Sequence, residues 1–395
     1  MTVGLVTRTV VSACALCATG LLALTPAAAS RTGAPHPTAG PDSRRDATRQ
    51  PTSLLHRPGT QVRPDADAPP VPRLSALSWL VADAGSGAVL AAHDAHRGLP
   101  PASTLKTLFA LTVLPVLPGG IRHTVEEEEL RGIGEGSSLV GVAEGVTYRV
   151  ADLWHGVFLS SGNDAVHVLA RLSGGRRSTA ARMQAEARAL GALDTHVVSP
   201  DGYDAPGQVS SAFDLAVFGR EGLRNPDFAR YCAVVRVTFP GGRQGPYPIQ
   251  NTNRLLTGAD GVARYPGLIG IKNGYTTKAG HTLVAAAERA GRTLVVTVLH
   301  PRSGGPWAVY EEARRLLDWG FAASGRVEPV GSLEARRPAP RPGPPAATPA
   351  ALPGGRTTGV PWWRAGAIAG AAALGAAVTA LFLRGTVPPP EETSA

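Results

Sequence analysis

Two apolar runs near opposite ends of this 395-residue chain, residues 10–24 and 365–383, bound what it can fold into. Each borders a long stretch rich in Pro, Ala, Thr, Gly and Arg that lacks hydrophobic periodicity. A packed core is therefore confined to about 250 residues between them, the size of one large domain. The first run has the layout of a secretory signal. Arg8 supplies a short basic region, the apolar run follows, and Ala27-Ala28-Ala29 gives small residues at the cleavage positions, so the mature chain would start near Ser30. The second run, at about 1.5 Å per helical residue, spans roughly 28 Å, close to the hydrocarbon thickness of a bilayer. Arg364 and Arg384 bracket it, and Trp362-Trp363 stand where an interfacial belt would lie.

The expected order is a signal peptide (1–29), a disordered arm (30–72), a folded domain (73–325), a Pro-rich linker (326–361), a transmembrane helix (362–384) and a cytoplasmic tail (385–395). Export through the signal would place the domain outside a single-pass membrane anchor, on the cell-wall side.

Loss of the signal removes Cys14 and Cys17 and leaves Cys232, so no disulfide can form within the mature chain. Cys232 sits in the apolar text Tyr231-Cys232-Ala233-Val234-Val235 and reads as a small buried hydrophobe. The net charge of +9 fits either a bias toward Arg or attraction to an anionic wall or membrane surface. The Arg residues are scattered rather than grouped with aromatics, which speaks against nucleic acid. The acidic run 126–129 reads as a solvated face. His155 and His281 lack partners at metal-ligand spacing, and neither a metal nor a cofactor is expected.

The domain opens with strand text, Trp79-Leu80-Val81-Ala82 and Ala88-Val89-Leu90-Ala91, joined through Gly85-Ser86-Gly87. A helix follows Pro100-Pro101, with Leu105, Leu108, Phe109 and Val113 at helical spacing. Further helical patterns cover 150–158, 163–172 and 179–190. Residues 268–274, 282–287 and 293–299 read as adjacent antiparallel strands. A last helix at 307–319 carries Glu311, Glu312, Arg314 and Arg315 on its expected wet side. Strands at both ends of a helical middle predict an α+β domain: an antiparallel sheet flanked by helices, with a helical subdomain, closed by its first and last segments.

Three short motifs carry chemistry. In Ser103-Thr104-Leu105-Lys106, Ser and Lys share one face near a helix start. A Ser hydroxyl needs an adjacent base, and Lys serves when desolvation or nearby positive charge strips its proton. The helix N-terminus also turns backbone N–H groups toward a developing oxyanion. Ser161-Gly162-Asn163 lies in a tight turn that can present a hydroxyl and an amide to a cleft, or serve simply as a helix cap. Lys272-Asn273-Gly274 ends an apolar strand and can place a cation and close backbone N–H groups beside the same cleft, or form a solvated edge.

In that order the three resemble the motif set of active-site-serine penicillin-recognising enzymes. Intervening text, such as Ser161-Gly162-Asn163-Asp164-Ala165, Asn251-Thr252-Asn253-Arg254-Leu255-Leu256 and Leu316-Leu317-Asp318-Trp319-Gly320-Phe321, narrows the resemblance to the D-alanyl-D-alanine carboxypeptidases among the low-molecular-mass penicillin-binding proteins. It covers the central domain and implies a β-lactamase/transpeptidase-like fold that acts on peptidoglycan stem peptides and is acylated by β-lactams. It also implies the roles. Ser103 is the acylated nucleophile, Lys106 its base, and Ser161 a proton relay with Lys272 nearby. Asn163 binds the substrate amide, Lys272 and Asn273 hold the terminal carboxylate beside Gly274, and the backbone N–H groups of Ser103 and Tyr275 form the oxyanion hole.

The chain departs from the family pattern in having Asn273 where Thr is usual. It also lacks a basic residue in Pro306-Trp307-Ala308-Val309-Tyr310, at the start of the last helix. Two other functions stay open at this point. One is a wall-binding penicillin sensor that acylates but turns over poorly. The other is a serine β-lactamase, for which no convincing ExxLN-like site supplies the deacylating water's base.

Overall fold

The structure, a computed structural model, describes residues 53–242 and 245–334. The chain begins with β1 (Thr60–Pro64), β2 (Ala76–Asp83) and β3 (Ala88–His93). A 3-10 turn at Ala102–Leu105 then runs into α1 (Lys106–Val113). A ribbon of β4 (Arg122–Thr124) and β5 (Thr147–Arg149) brackets the short α2 (Glu127–Leu130). The helical middle comprises α3 (Val150–Leu159), α4 (Asn163–Leu172), α5 (Arg176–Ala189), α6 (Ala212–Leu223) and α7 (Pro226–Ala233). After a second ribbon, β6 (Arg236–Phe239) with β7 (Tyr247–Gln250), and the short α8 (Arg254–Thr257), come β8 (Leu268–Thr276), β9 (Gly280–Arg289) and β10 (Arg292–Pro301). The described chain closes with α9 (Ala308–Ala323), β11 (Val327–Glu328) and β12 (Gly331–Ser332).

The main sheet runs β11-β1-β3-β2-β10-β9-β8, with β12 pairing β3. Its centre joins the two ends of the domain: β10 lies antiparallel to β2, with Val296 opposite Val81. Side chains alternate across β10 as the strand period requires. Leu294, Val296 and Val298 join the core under α9, while Val295 and Leu299 join the core shared with the helical middle. Between them Thr297, facing the helical middle, hands its hydroxyl hydrogen to the Ala212 carbonyl at 3.0 Å. Both faces are covered, which is why β10 reads as a continuous apolar run rather than an alternating one.

The helical middle has its own aromatic centre. Trp154 and Phe158 on α3 meet Phe109 on α1 and Phe228 and Tyr231 on α7. Ring pairs of this kind are worth about 0.5–1.5 kcal/mol each beyond their buried area. Cys232 lies at the edge of this core, fully buried; burial pushes its thiol up to about 12, consistent with a packing role.

Three expectations need correction. Thr60–Pro64, within the segment expected to be a disordered arm, is β1, and it pairs with both β3 and β11. Its text has one strong hydrophobe, Val62, so main-chain pairing rather than side-chain pattern holds it. Val327, Val330 and Leu333, in the segment expected to begin the Pro-rich linker, are buried as β11 and β12 extend the sheet. Finally, two acidic residues expected on wet faces are buried. Glu312 on α9 accepts from the backbone N–H and hydroxyl of Ser75 and from the Ala76 N–H, tying the helix to the start of β2. Glu129 caps α2 and bonds His123 at 2.7 Å.

The signal peptide, the first part of the arm, the Pro-rich linker beyond Glu334, the transmembrane helix and the tail lie outside the described residues. Among the described residues no helix is long and apolar enough to cross a membrane.

Candidate active site

Ser103 sits in the 3-10 turn that leads into α1, and Lys106 is the first residue of that helix. Ala102, just before the nucleophile, has a left-handed φ of 49°. Ser161 and Ile271, in or beside the other two motifs, also have positive φ, at 57° and 108°. Such backbone costs of order 1–3 kcal/mol at each non-glycine residue and persists only where the surroundings enforce it. Gly202 is one such enforcer. It lies at φ +81° with its Cα pressed against the Ala102 carbonyl, where a Cβ would approach to 2.1 Å.

Lys106 is buried, and its ammonium has three acceptors: Ser103 Oγ, Asn163 Oδ1 and the Asp201 carbonyl, each at 2.7 Å. These match the three N–H donors of a protonated lysine. When the amine is neutral, its lone pair faces the Ser103 hydroxyl. Burial pushes Lys106 down to about 8, against the pull of the Asp201 and Asp164 carboxylates. Burial and then the charge on Lys106 hold Lys272 well below the usual lysine value.

The Ser161-Gly162-Asn163-Asp164-Ala165 text has a local cause at each position. Asn163 starts α4, accepting from Lys106 and donating through Nδ2 to Ser137 Oγ at 2.9 Å. The Asp164 carboxylate collects the backbone N–H groups of Val140, Gly141 and Val142, fixing the loop that borders the site. Gly162 has no room for a side chain, since a Cβ would stand 2.6 Å from Asp164 Oδ1. The buried Ser161 Oγ has no hydrogen-bond partner among the described residues.

Strand β8 forms the opposite wall. Gly274 lies so close to the nucleophile that a Cβ there would be 2.7 Å from the Ser103 backbone nitrogen. Tyr275, across from His281 on β9, is exposed, and the two rings meet at a tilt of 38° with centroids 4.6 Å apart. Lys272 Nζ donates to the Asn273 carbonyl at 2.7 Å rather than to Ser161. The Asn273 side chain is turned to Thr252, whose hydroxyl donates to Oδ1 at 3.1 Å.

Ser103, Lys106 and Asn163 are thus joined by direct hydrogen bonds. Lys272 and Gly274 flank them on β8, and Ser161 Oγ and Lys272 Nζ are not hydrogen-bonded to each other. Sequence reasoning missed Asp201 and His167. Burial pushes Asp201 up, but the hydrogen bond from His167, the charge on Lys106 and hydrogen bonds from Ser199 and Tyr203 outweigh it and hold the carboxyl below its usual range. His167 Nε2 is 3.4 Å from Asp201 Oδ2, and both residues are buried. His167 stands four residues after Asn163 on α4, a spacing visible in the sequence. Among the described residues no group of three or more His, Cys, Asp or Glu is placed to hold a metal.

A nucleophilic Ser hydrogen-bonded to a desolvated Lys, walled by a Lys-x-Gly strand on an antiparallel sheet, defines a penicillin-binding, transpeptidase-like α+β serine enzyme. The model of the D-alanyl-D-alanine carboxypeptidase family matches residues 65–303, and the chain belongs to that serine-peptidase family. It is 41% identical over 272 residues to the D-alanyl-D-alanine carboxypeptidase DacB2 of Mycobacterium tuberculosis, covering 68% of this chain and 89% of that one. It is 34% identical to DacD of Salmonella typhimurium, with 64% of each chain covered. Among solved structures, a D-alanyl-D-alanine carboxypeptidase from Mycobacterium tuberculosis superposes with a TM-score of 0.62 at 39% identity, over 69% of this chain and all of that one. The Streptomyces K15 DD-transpeptidase superposes with a TM-score of 0.59 at 27% identity, over 64% of this chain and all of that one.

Proposed function

We propose that the chain is an exported, membrane-anchored serine D-Ala-D-Ala carboxypeptidase. It removes the terminal D-alanine from peptidoglycan stem peptides, and β-lactams acylate the same serine. The carrying observation is the 2.7 Å contact between Lys106 Nζ and Ser103 Oγ inside a buried donor–acceptor set. With Lys106 at about 8, about a tenth of the site holds the neutral amine at neutral pH, enough to supply a base without outside activation.

In the proposed cycle, Lys106 takes the Ser103 proton as Oγ attacks the carbonyl carbon between the two D-alanines. The oxyanion lies toward the backbone N–H groups of Ser103 and Tyr275. The C–N bond breaks, the leaving amine receives a proton through Ser161 with Lys272 beside it, and free D-alanine departs. Water then cleaves the acyl-Ser103 ester. Asn163 orients the substrate amide, and Lys272 and Asn273 receive the terminal carboxylate near Gly274. Anchorage rests on the apolar run 365–383 with Arg364 and Arg384 at its ends, and export on the signal-like residues 1–29.

The test is to label the full-length chain with a fluorescent penicillin, map the adduct, and measure D-alanine released from a pentapeptide. Labelling at Ser103, its loss in Ser103→Ala, and D-alanine release by the wild type are expected. Labelling that survives Ser103→Ala overturns the site. An adduct without D-alanine release favours the penicillin-sensor reading, to which the Asn273 side chain's bond to Thr252 lends weight.

A further inference from the structure

A groove of about 690 Å³ lies between α5 and residues 196–200. Arg176, Arg177 and Arg188 line one side, and His196, Val198 and Pro200 the other. None of its lining residues is acidic. The one carboxylate in α5 is Glu186. Arg177 and Arg188 are exposed and have no ion-pair partner among the described residues. Arg176 is fixed: its Nη1 donates to the Arg131 carbonyl at 3.1 Å and lies 3.4 Å from His167 Nδ1. Guanidinium groups gathered without counter-charge repel one another and raise the local concentration of anions.

Two loops join this groove to the catalytic cleft. In the first, Pro200 lines the groove, while the next carbonyl, that of Asp201, holds Lys106. Three residues further on, the Asp204 carboxylate accepts from Thr276 Oγ1 at the end of β8. In the second loop, the Arg131 carbonyl holds Arg176 at the groove, and Ser137 holds Asn163 at the cleft. Each loop thus has one residue at the groove and another at the cleft.

We infer that this groove is an exosite for polymeric peptidoglycan, binding carboxylates of stem peptides other than the one being cleaved. The inference rests on the proposed function and specifies its substrate: a strand with regularly repeated carboxylates rather than an isolated peptide. Guanidinium forks match carboxylates in pairs, and the exposed Val198 adds an apolar contact beside them. Part of the positive charge scattered through the sequence is thus gathered in this groove without an acidic neighbour in its lining.

The test compares the full-length wild type with Arg177→Ala/Arg188→Ala on a soluble pentapeptide and on purified sacculi at low ionic strength. Co-sedimentation with the sacculi is measured in parallel. Two exposed charge contacts at about two- to threefold each predict that kcat/KM on sacculi falls about fivefold while the pentapeptide rate is unchanged. Added salt should close the gap, and Arg177→Lys/Arg188→Lys, which keeps the charge but loses the paired fork, should fall between the wild type and the double alanine variant. Unchanged rates and sedimentation on sacculi, or a parallel fall on both substrates, overturn the exosite. Sacculi stripped of phosphate-bearing polymers form the control arm. If the effect vanishes on them, the ligand is a phosphodiester polymer and the carboxylate assignment is overturned. If the wild type releases no D-alanine from either substrate, the proposed function fails, while sedimentation still reads the groove.

Discussion

Asn163 and His167 stand one turn apart on α4, and both act on Lys106. Asn163 accepts from Nζ directly, and His167 grips the carboxylate of Asp201, whose main-chain carbonyl is another acceptor of the same ammonium. One helix therefore sets both the place and the charge of the base. Two carboxylates bear on Lys106: Asp201 and Asp164 pull its proton affinity up, and the charge on Lys106 in turn lowers Lys272.

Asp201→Asn keeps the carbonyl and removes the anion. The affinity of Lys106 for its proton then falls, so the acidic limb of acylation, set near about 8 in the wild type, moves to lower pH. A move of roughly 0.5–1 unit is expected. Penicillin acylation rates measured from about pH 5 to about pH 10 read it directly. A limb that stays put, or moves up, would show that Asp201 only holds the loop in shape.

Gly274→Ala introduces a Cβ 2.7 Å from the Ser103 nitrogen and 2.7 Å from Thr282 Oγ1. The strand must retreat from the nucleophile, and a displacement near 1 Å costs about a hundredfold in rate. Acylation should fall by at least that much while the melting temperature changes by only a few degrees. Acylation within about tenfold of the wild type would show that the wall yields without disturbing the attack geometry.

Asn273→Thr releases Thr252 from its bond to Asn273 Oδ1 and offers a hydroxyl to the substrate carboxylate. A rise of about three- to tenfold in kcat/KM for D-alanine release is expected, with labelling at Ser103 retained. If release stays at the wild-type level, turnover is limited elsewhere.

Asp214, buried near the start of α6, accepts from Thr195 through Oδ2 and has no partner for Oδ1 among the described residues. Burial, aided by the charge of Asp194, pushes its carboxyl up to about 7. In the unfolded chain it ionises near its usual value of about 3.9. Between those values the folded state holds the extra proton, so this group's stabilisation is full at low pH and is lost as pH rises to about 7. In Asp214→Asn that slope disappears. The melting temperature of the variant relative to the wild type should be higher at about pH 8 than at about pH 5. A difference that does not change with pH would refute the assignment.

Much of the fold was legible because its signals are local. The apolar runs of β8, β9 and β10, and the helical spacing of Leu105, Leu108 and Phe109, need no knowledge of partners. β1 was not legible: Thr60-Gln61-Val62-Arg63-Pro64 carries almost no pattern, and its stability comes from edges supplied by β3 and β11. Glu312 was misplaced for the same reason, since its partners are main-chain groups far away in sequence. At the site, the motifs located Ser103, Lys106 and Asn163, whose side chains bond one another. They could not show that the remaining ligand of Lys106 is a carbonyl, because a main-chain group leaves no mark in the choice of residue. His167, four residues beyond Asn163, was the available clue to what stands behind it.

The pairing of β2 with β10 has a consequence for biogenesis. The nucleophile is encoded early and the strand that walls it late, and the centre of the sheet cannot close until residues near Pro301 exist. Contacts of such long sequence separation form slowly and in an all-or-none manner. A nascent or prematurely terminated chain that lacks β10 leaves β2 without this partner and the sheet open at its centre, so under the proposed function reactivity toward penicillin would mark a completed domain.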